Sequence, residues 1–252
     1  MKIEGNTILI TGGATGIGFA LAEAFVKSNE VIICGRRENK LKDAKRKIPE
    51  LHTIKCDISK ELWREMLYKE IKSNFKDINV LVNNAGIQRN VDFKKGIADL
   101  LDEEDEISTN LIAPIYLTSY FIPDFLKKES AIINVSSGLA FVPITFMPIY
   151  CATKAALHSY SLSLRHQLKD TSIKVFELIP PMVDTDLSKG RIEERSIKDR
   201  GIEPNLVVYE TLVALEKDEY EITIGTSKNL RTTDTNNFEQ IFQSINDTNP
   251  QL

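Results

Sequence analysis

The sequence lacks several features that would point to particular classes of protein. Only three cysteines occur among 252 residues, Cys34, Cys56 and Cys151, and no C-x-x-C pair is present. This argues against a disulfide framework or a zinc knot and favours free thiols in a reducing, cytoplasmic compartment. The three histidines have no metal-ligand spacing, so they are expected to be surface or hydrogen-bonded residues and no metal site is predicted.

Excess positive charge and long apolar runs are also missing. The net charge of -4 and the pI of about 5.6 argue against nucleic acid as a main partner. No run approaches the roughly 18 apolar residues of a membrane span. The N-terminal "MKIEGNTILI" is expected to enter a strand at once and not to act as a secretory signal. A globular chain with 42% hydrophobic residues is what remains.

Strand-like and helix-like segments alternate along most of the chain. Apolar runs predict seven strands, and segments with helical spacing predict helices near 19–28, 36–47, 59–75, 101–126 and 150–168. The strands are predicted at residues 6–10, 30–35, 51–56, 78–86, 131–137, 173–181 and 220–225. Because most of these strands are continuously apolar, the prediction is an α/β, doubly wound Rossmann fold. Its seven-stranded sheet is mostly parallel, with helices on both faces.

One domain is predicted over residues 1–225, followed by a polar C-terminal tail over 226–252 that is expected to be partly disordered. Residues 187–205 are charged and follow a strand end. They are expected to form a substrate-side loop or lid, or else a solvated surface helix.

The stretch "TGGATGIG" (residues 11–18) concentrates four of the twelve glycines between a strand and a helix. Two interpretations compete. The glycines can let the backbone cradle a phosphate at the helix N-terminus, or they can serve a tight turn with close helix–strand packing.

The stretch "YCATK" places Tyr150 and Lys154 four residues apart, on one face of a predicted helix. A cationic lysine near a phenol favours the phenolate and lowers a pKa that starts near 10, which would make the tyrosine usable as an acid or base. Taken alone, this common spacing would more often be a surface pair.

Further motifs follow the predicted strands in chain order: "CDIS" (56–59), "NNAG" (83–86), "TNLIAP" (109–114), "NVSSG" (134–138) and "PPMVDTD" (180–186). Together with the two stretches above, they resemble the classical branch of the short-chain dehydrogenase/reductase family over about residues 5–225. The resemblance is closest to the DltE-like oxidoreductases of Gram-positive bacteria. It implies hydride transfer between a nicotinamide cofactor and a carbonyl/alcohol substrate. A non-catalytic, dinucleotide-binding redox regulator is the alternative, whereas a sugar-nucleotide epimerase is disfavoured by the glycine spacing.

The resemblance implies four catalytic residues. The family places its serine thirteen positions before the tyrosine, which selects Ser137 over the adjacent Ser136 to hold the substrate oxygen. Tyr150 would transfer the proton, Lys154 would grip the nicotinamide ribose, and Asn110 would hold a water in a proton relay. A helix-kinking or backbone-capping role for Asn110 stays open beside the relay.

The resemblance also implies a set of cofactor-binding residues at the strand ends. Pro181 departs from the family, which usually has glycine there. The implied set is Gly12, Thr15, Gly16, Ile17, Gly18, Arg36, Asp57, Ile58, Asn84, Ala85, Gly86, Tyr150, Lys154, Pro180, Val183 and Thr185.

The second predicted strand ends in "CGRR", which bears on the choice of cofactor. An NAD-selective site would place an acid there, but none occurs before Glu38. Gly35 leaves room, and the Arg36 guanidinium can bind a 2′-phosphate and stack on adenine, with Arg37 either assisting or facing solvent. NADP(H) is therefore the preferred cofactor, and NAD(H) is the second one that the site is expected to accept.

Two further expectations concern substrate and assembly. The apolar loop 139–150 suggests either loop packing or a hydrophobic substrate site lined by Phe141, Ile144, Phe146 and Met147. The helices near 101–126 and 150–168 carry more apolar surface than one sheet-facing stripe needs, and the family pairs these helices between subunits. A homodimer or homotetramer is expected.

Overall fold

The computed structural model describes residues 1–100, 105–185, 187 and 201–247. Within these residues, the strands form one seven-stranded sheet in the order β3-β2-β1-β4-β5-β6-β7, and each of its six pairings is parallel. The strands are β1 Thr7–Thr11, β2 Glu30–Gly35, β3 His52–Lys55, β4 Ile78–Asn83, β5 Ser130–Val135, β6 Ile173–Ile179 and β7 Glu221–Thr223. The predicted doubly wound sheet is confirmed.

Helices cover both faces of the sheet because successive strand residues point to opposite sides. In β1, Ile8 and Ile10 belong to one fully buried cluster, whereas Leu9 between them belongs to the other. The helices are α1 Gly16–Phe25, α2 Glu38–Lys47, α3 Glu61–Asn74, α4 Ala113–Phe125, α5 Pro148–Gln167, α6 Pro204–Glu216, α7 Ser227–Arg231 and α8 Phe238–Asp247. Among the described helices, none combines the length and the apolarity that crossing a membrane requires.

The packing divides the helices between the two faces. One cluster takes its buried residues from α1, α2 and α6, including Phe25, Leu41 and Val207. The other takes them from α3, α4 and α5, including Leu67 and Phe121. The two layers leave the carboxyl ends of the strands as the open edge, where ligands bind in folds of this kind.

The region after β6 differs most from the prediction. The segment expected to be a partly disordered tail holds the helices α7 and α8, and α6 was not foreseen. Pro204 sits in the first turn of α6, where its missing N–H has no cost, so the expected lid cannot extend to 205 as a loop. The rest of the lid prediction falls largely on residues 188–200, outside the described residues.

Candidate active site

A cleft of about 1090 Å³ opens at the carboxyl edge of the sheet. It brings together nearly all the residues predicted for the site, although they come from seven separate stretches of sequence. Two predicted residues, Gly18 and Asn110, lie behind its wall and do not line it. The predicted residues that do line it are Gly12, Thr15, Gly16, Ile17, Arg36, Asp57, Ile58, Asn84, Ala85, Gly86, Ser137, Tyr150, Lys154, Pro180, Val183 and Thr185.

The glycine turn between β1 and α1 is a tight turn with close helix–strand packing, and it also borders the cleft. Gly12 and Gly16 line the cleft with φ values of +64° and +58°, which disfavour any residue with a Cβ. A Cβ on Gly18 would lie 2.4 Å from Asn84 Nδ2 and 2.6 Å from Gly12 O. Packing limits the other two glycines as well, because a Cβ on Gly12 would lie 2.8 Å from Ala85 Cα and one on Gly16 would lie 3.0 Å from Thr185 Cγ2.

The motif after β4 is fixed to the glycine turn by hydrogen bonds. Asn84 Nδ2 donates to Thr11 O at 2.9 Å, and the backbone N–H groups of Asn84 and Ala85 both donate to Thr11 Oγ1. The side chain of Asn84 therefore ties two strand ends together. Its role in shaping the cleft wall is structural before any ligand is considered.

The end of β2 presents cations to one end of the cleft. Arg36, Arg37 and Lys40 line it, and Arg37 also donates to Thr15 Oγ1 at 3.1 Å. A Cβ on Gly35 would have no atom within 4 Å, so the space beside this glycine is open. Glu38 pairs with Lys42 at 2.7 Å and with Lys55 at 3.2 Å, and it is not among the residues that line the cleft.

Asp57 lines the same end, but its carboxylate is turned toward the start of the next helix. Asp57 Oδ1 accepts from the backbone N–H of Ser59 at 3.1 Å and from Ser59 Oγ at 2.7 Å. The acid predicted beside the adenine is therefore partly used to shape its own loop.

Tyr150 and Lys154 project from α5 into the middle of the cleft. Lys154 Nζ lies 5.7 Å from the centroid of the Tyr150 ring and donates to Val135 O at 2.8 Å. Both residues are less than a tenth exposed. Burial lowers the pKa of Lys154 from 10.5 to about 8, against the opposing effect of the Glu177 carboxylate.

Ser136 and Ser137 follow β5 and have different partners. Ser137 Oγ accepts from the backbone N–H of Leu139 at 3.2 Å, at the start of a short 3₁₀ turn, and its hydroxyl proton can still be donated to a ligand in the cleft. Ser136 Oγ donates to Glu177 Oε1 in the interior. The geometry thus leaves Ser137 as the serine with donor capacity toward the cleft.

Asn110 sits in a π-helical turn over Ser108–Ile112 and is fully buried. Its side chain accepts from Ile87 N at 2.9 Å and donates to Ile87 O at 2.8 Å, so it holds the backbone of the loop that follows Gly86. The π turn and this pair of bonds show that the backbone-holding role left open from the sequence is real. A Cβ on Gly86 would lie 3.4 Å from Asn110 Oδ1 and 3.5 Å from Lys154 Nζ, so both groups converge behind this glycine.

The other end of the cleft is apolar. Ile144, Phe146 and Met147 line it, as predicted from the loop before Tyr150. Phe141 does not line it. Its ring packs edge-on against His158, with centroids 4.8 Å apart, and lies 5.1 Å from the Arg231 guanidinium.

Several residues of the apolar end were missed from the sequence because they belong to the expected tail. Ile245 of α8 and Leu230 of α7 line the cleft. Asn246 fixes α8 to the loop before Tyr150, since Thr145 N donates to Asn246 Oδ1 at 2.7 Å. The signal was present in "FEQIFQSI", whose apolar residues recur at helical spacing.

The chain belongs to the short-chain dehydrogenase family, whose model matches residues 6–196. It is 46% identical over 248 residues to the uncharacterized oxidoreductase DltE of Bacillus subtilis (strain 168), covering 98% of each chain. This confirms the predicted likeness to DltE-like oxidoreductases.

Two further relatives carry cofactor information of their own. The chain is 30% identical to the NADP-dependent 3-hydroxy acid dehydrogenase YdfG of Salmonella typhi, over 84% of each chain. It is also similar to the solved structure of a short chain dehydrogenase from Burkholderia cenocepacia J2315 in complex with NADP. That match has a TM-score of 0.78 and 26% identity, and covers 97% of this chain and 98% of the other.

Proposed function

We propose that this oxidoreductase transfers hydride between a nicotinamide cofactor and a carbonyl/alcohol substrate, with Tyr150 as the general acid/base. The main support is that Ser137, Tyr150 and Lys154 line one cleft, between a glycine turn and an apolar pocket. The family to which the chain belongs supports the reaction class.

The cleft fits a dinucleotide. Gly12 and Gly16 keep its floor free of side chains, and Gly35 leaves open space beside the cationic end. When bound, the nicotinamide supplies the hydride in reduction or accepts it in oxidation. Gly12, Thr15, Gly16, Ile17 and Gly86 would hold the dinucleotide, together with Asp57, Ile58, Asn84, Ala85, Pro180, Val183 and Thr185.

The residues of the chain then handle the proton. In the reduction, Ser137 donates a hydrogen bond to the substrate oxygen, and Tyr150 gives that oxygen a proton as the carbonyl carbon gains the hydride. The electron pair of the breaking C=O π bond takes up the proton. After the transfer Tyr150 is a phenolate, which the Lys154 ammonium stabilises. Lys154 would also donate hydrogen bonds to the nicotinamide ribose.

Asn110 is proposed to serve the same proton transfer from behind the cleft. Its Oδ1 and Lys154 Nζ approach Gly86 from the same side, which is a suitable place for a bridging water. Asn110 would hold that water while its amide keeps Ile87 in place.

We further propose NADP(H) as the preferred cofactor, with NAD(H) also accepted. The cationic lining by Arg36, Arg37 and Lys40 supports a site for a 2′-phosphate. The nearest acid, Glu38, is paired with Lys42 and Lys55, so its charge is partly balanced and it opposes a 2′-phosphate less. The Salmonella and Burkholderia relatives, one named as NADP-dependent and the other solved with NADP, agree with this preference.

For the substrate, we propose a carbonyl compound with an apolar group. Ile144, Phe146 and Met147 give the pocket beside Tyr150 an apolar wall, and Ile245 of α8 extends it. A preference for small polar carbonyls in a substrate panel, including 3-oxo acids of the kind that the Salmonella relative's name suggests, would contradict this proposal.

Assembly into a homodimer or homotetramer is proposed from the outer faces of α4 and α5. Tyr116 on α4, Leu126 directly after it and Leu162 on α5 are each more than two-fifths exposed, and they are proposed to be covered by the partner. Light scattering should give at least twice the 28.5 kDa mass of the chain, and a monomer at micromolar concentration would overturn the proposal.

The three cysteines are free and buried. They support the proposal that the protein works in a reducing compartment, the cytoplasm. The division into a domain over 1–225 and a C-terminal segment over 226–252 also stays a proposal, although α7 and α8 pack at the cleft.

The proposed activity is tested by following NADPH consumption at 340 nm with a panel of aliphatic, aromatic and polar ketones and aldehydes. Turnover of at least one carbonyl compound is expected. Tight NADPH binding without turnover of any member would favour the non-catalytic regulator instead.

A further inference from the structure

A buried carboxylate lies directly behind the proposed catalytic residues. Glu177 on β6 has no exposed surface and is paired in the sheet with Asn134 of β5 and Glu221 of β7. A buried charge is costly unless it is paired and hydrogen-bonded, so its partners indicate what it does.

Both oxygens of this carboxylate are engaged. Ser136 Oγ donates to Oε1, and His158 Nδ1 lies 2.8 Å from Oε2. His158 is on α5, one turn after Lys154, so the two side chains share the helix face that meets the sheet. Glu177 is therefore held in one orientation by the end of β5 and by α5.

One of its partners, Ser136, is next in sequence to residues of the proposed catalytic site. Ser136 lies between Val135, whose carbonyl accepts from Lys154 Nζ at 2.8 Å, and Ser137. The backbone N–H of Ser136 also donates to Leu178 O at 2.9 Å, beside Glu177 on β6. The residue that Glu177 holds thus lies between the acceptor of Lys154 and the serine proposed to donate to the substrate oxygen.

A metal ion is a different reading of the same cluster, because the ligand atoms of His158, Glu177 and Glu221 lie within 4.8 Å of one another. Atoms that would bind such an ion are, however, already engaged in hydrogen bonds or ion pairs with neighbouring side chains. Arg231 Nε donates to Glu221 Oε1 at 2.6 Å, and Glu177 has Ser136 and His158 as partners. The cluster is an ion-pair and hydrogen-bond network around Glu177.

We infer that Glu177 is a positioning residue for the proposed reaction. Through Ser136 it holds the strand end that presents Ser137 and accepts a hydrogen bond from Lys154, and its negative charge favours the protonated form of Lys154. This inference rests on the proposed function and assigns a residue outside the cleft to it.

The charges around the carboxylate determine the pH at which the effect shows. The charged or titratable groups around it are Lys154, His158 and Arg165 on α5 and Glu221 on β7, which is itself paired with Arg231 on α7. Burial lowers the pKa of Lys154 to about 8, and the Glu177 charge acts in the opposite direction. Removing that charge lets Lys154 lose its proton at a lower pH.

The test is Glu177→Gln, which keeps the size and an oxygen acceptor for Ser136 while removing the charge. In the pH profile of kcat/KM for NADPH, its alkaline limb should move down by about half to one pH unit relative to the wild type. Glu221→Gln is the matched control, because it removes a neighbouring carboxylate that is paired with Arg231. The alkaline limb of the Glu221→Gln profile should stay at the wild-type pH.

A folded Glu177→Gln enzyme with an unmoved alkaline limb, or the same shift in the Glu221→Gln control, would overturn the inference. If Glu177→Gln does not fold, Glu177→Asp supplies the test, since it keeps the charge but withdraws it from Ser136. A lower kcat with an unmoved limb is then expected, and a downward shift would contradict the role of the charge. A wild-type protein without turnover would count against the proposed function instead.

Discussion

The proposed preference for NADP(H) over NAD(H) can be tested by two opposite substitutions at the end of β2. Arg36→Ala removes the guanidinium proposed to bind the 2′-phosphate. Gly35→Asp is the reciprocal change, and a Cβ at this position has no atom within 4 Å, so the new carboxylate can be accommodated. There it would accept hydrogen bonds from the ribose hydroxyls and repel a 2′-phosphate.

The size of the effect follows from the exposure of Arg36. A hydrogen bond to a charged group contributes about 1.5–3 kcal/mol. Arg36 is exposed at the rim of the cleft, and solvent screening therefore favours the lower end. About 1.5 kcal/mol corresponds to roughly a tenfold loss of NADPH affinity, with little change for NADH.

The assay is kcat/KM for NADPH and for NADH, measured for the wild type and both variants at one ionic strength. Arg46→Ala is the matched control, because Arg46 is exposed on α2 and pairs with Asp43 at 3.0 Å. Its NADPH/NADH ratio should equal that of the wild type. A wild-type enzyme that prefers NADH, or an Arg36→Ala variant with an unchanged ratio, would refute the reasoning.

The remaining predictions concern the catalytic and apolar ends of the cleft. Ser137→Ala should lower kcat about a hundredfold or more, because it removes the hydrogen-bond donor to the substrate oxygen, whereas the loss of kcat in Ser136→Ala should be at least tenfold smaller. A larger loss in Ser136→Ala than in Ser137→Ala would exclude Ser137 as that donor. Since burial lowers the pKa of Lys154 to about 8, kcat/KM for NADPH should fall as pH rises through about 8, and a profile flat to pH 10 would contradict this. Ile245→Ala should raise KM for apolar ketones up to about tenfold, while Ile241→Ala, on the same helix but not in the cleft lining, should not; equal KM changes in the two variants would show that Ile245 has no particular contact with substrate.

Much of the fold could be predicted because its signals are local. Each strand of a doubly covered parallel sheet is a short apolar run, and strands such as β2 Glu30–Gly35 have the predicted bounds. The end of β5 carries Ser137 to the carboxyl edge of the sheet, and α5, the next long helix, brings Tyr150 and Lys154 to the same cleft.

Contacts between distant segments could not be predicted in the same way. The difference between Ser136 and Ser137 depends on Glu177, which lies about forty residues further on in another strand and has no motif of its own. The π turn at Asn110 has no sequence signal either, because it exists to bring the amide onto Ile87.

The C-terminal region shows a different reason for an incomplete prediction. Its polar composition suggested disorder, yet α8 needs only one apolar stripe to pack at the cleft. Phe238, Ile241, Phe242 and Ile245 form that stripe with spacings of three, four and seven residues, and Ile245 at its end lines the cleft. Periodicity was the better guide than composition.

The central claim is that Tyr150 transfers the proton in a nicotinamide-dependent reaction, and Tyr150→Phe tests it most directly. The variant keeps the ring and removes only the hydroxyl group. Turnover of the best carbonyl substrate should fall by about a hundredfold or more, while NADPH binding, measured by its fluorescence, should stay within about twofold of the wild type. Near wild-type turnover in the folded variant would contradict the account.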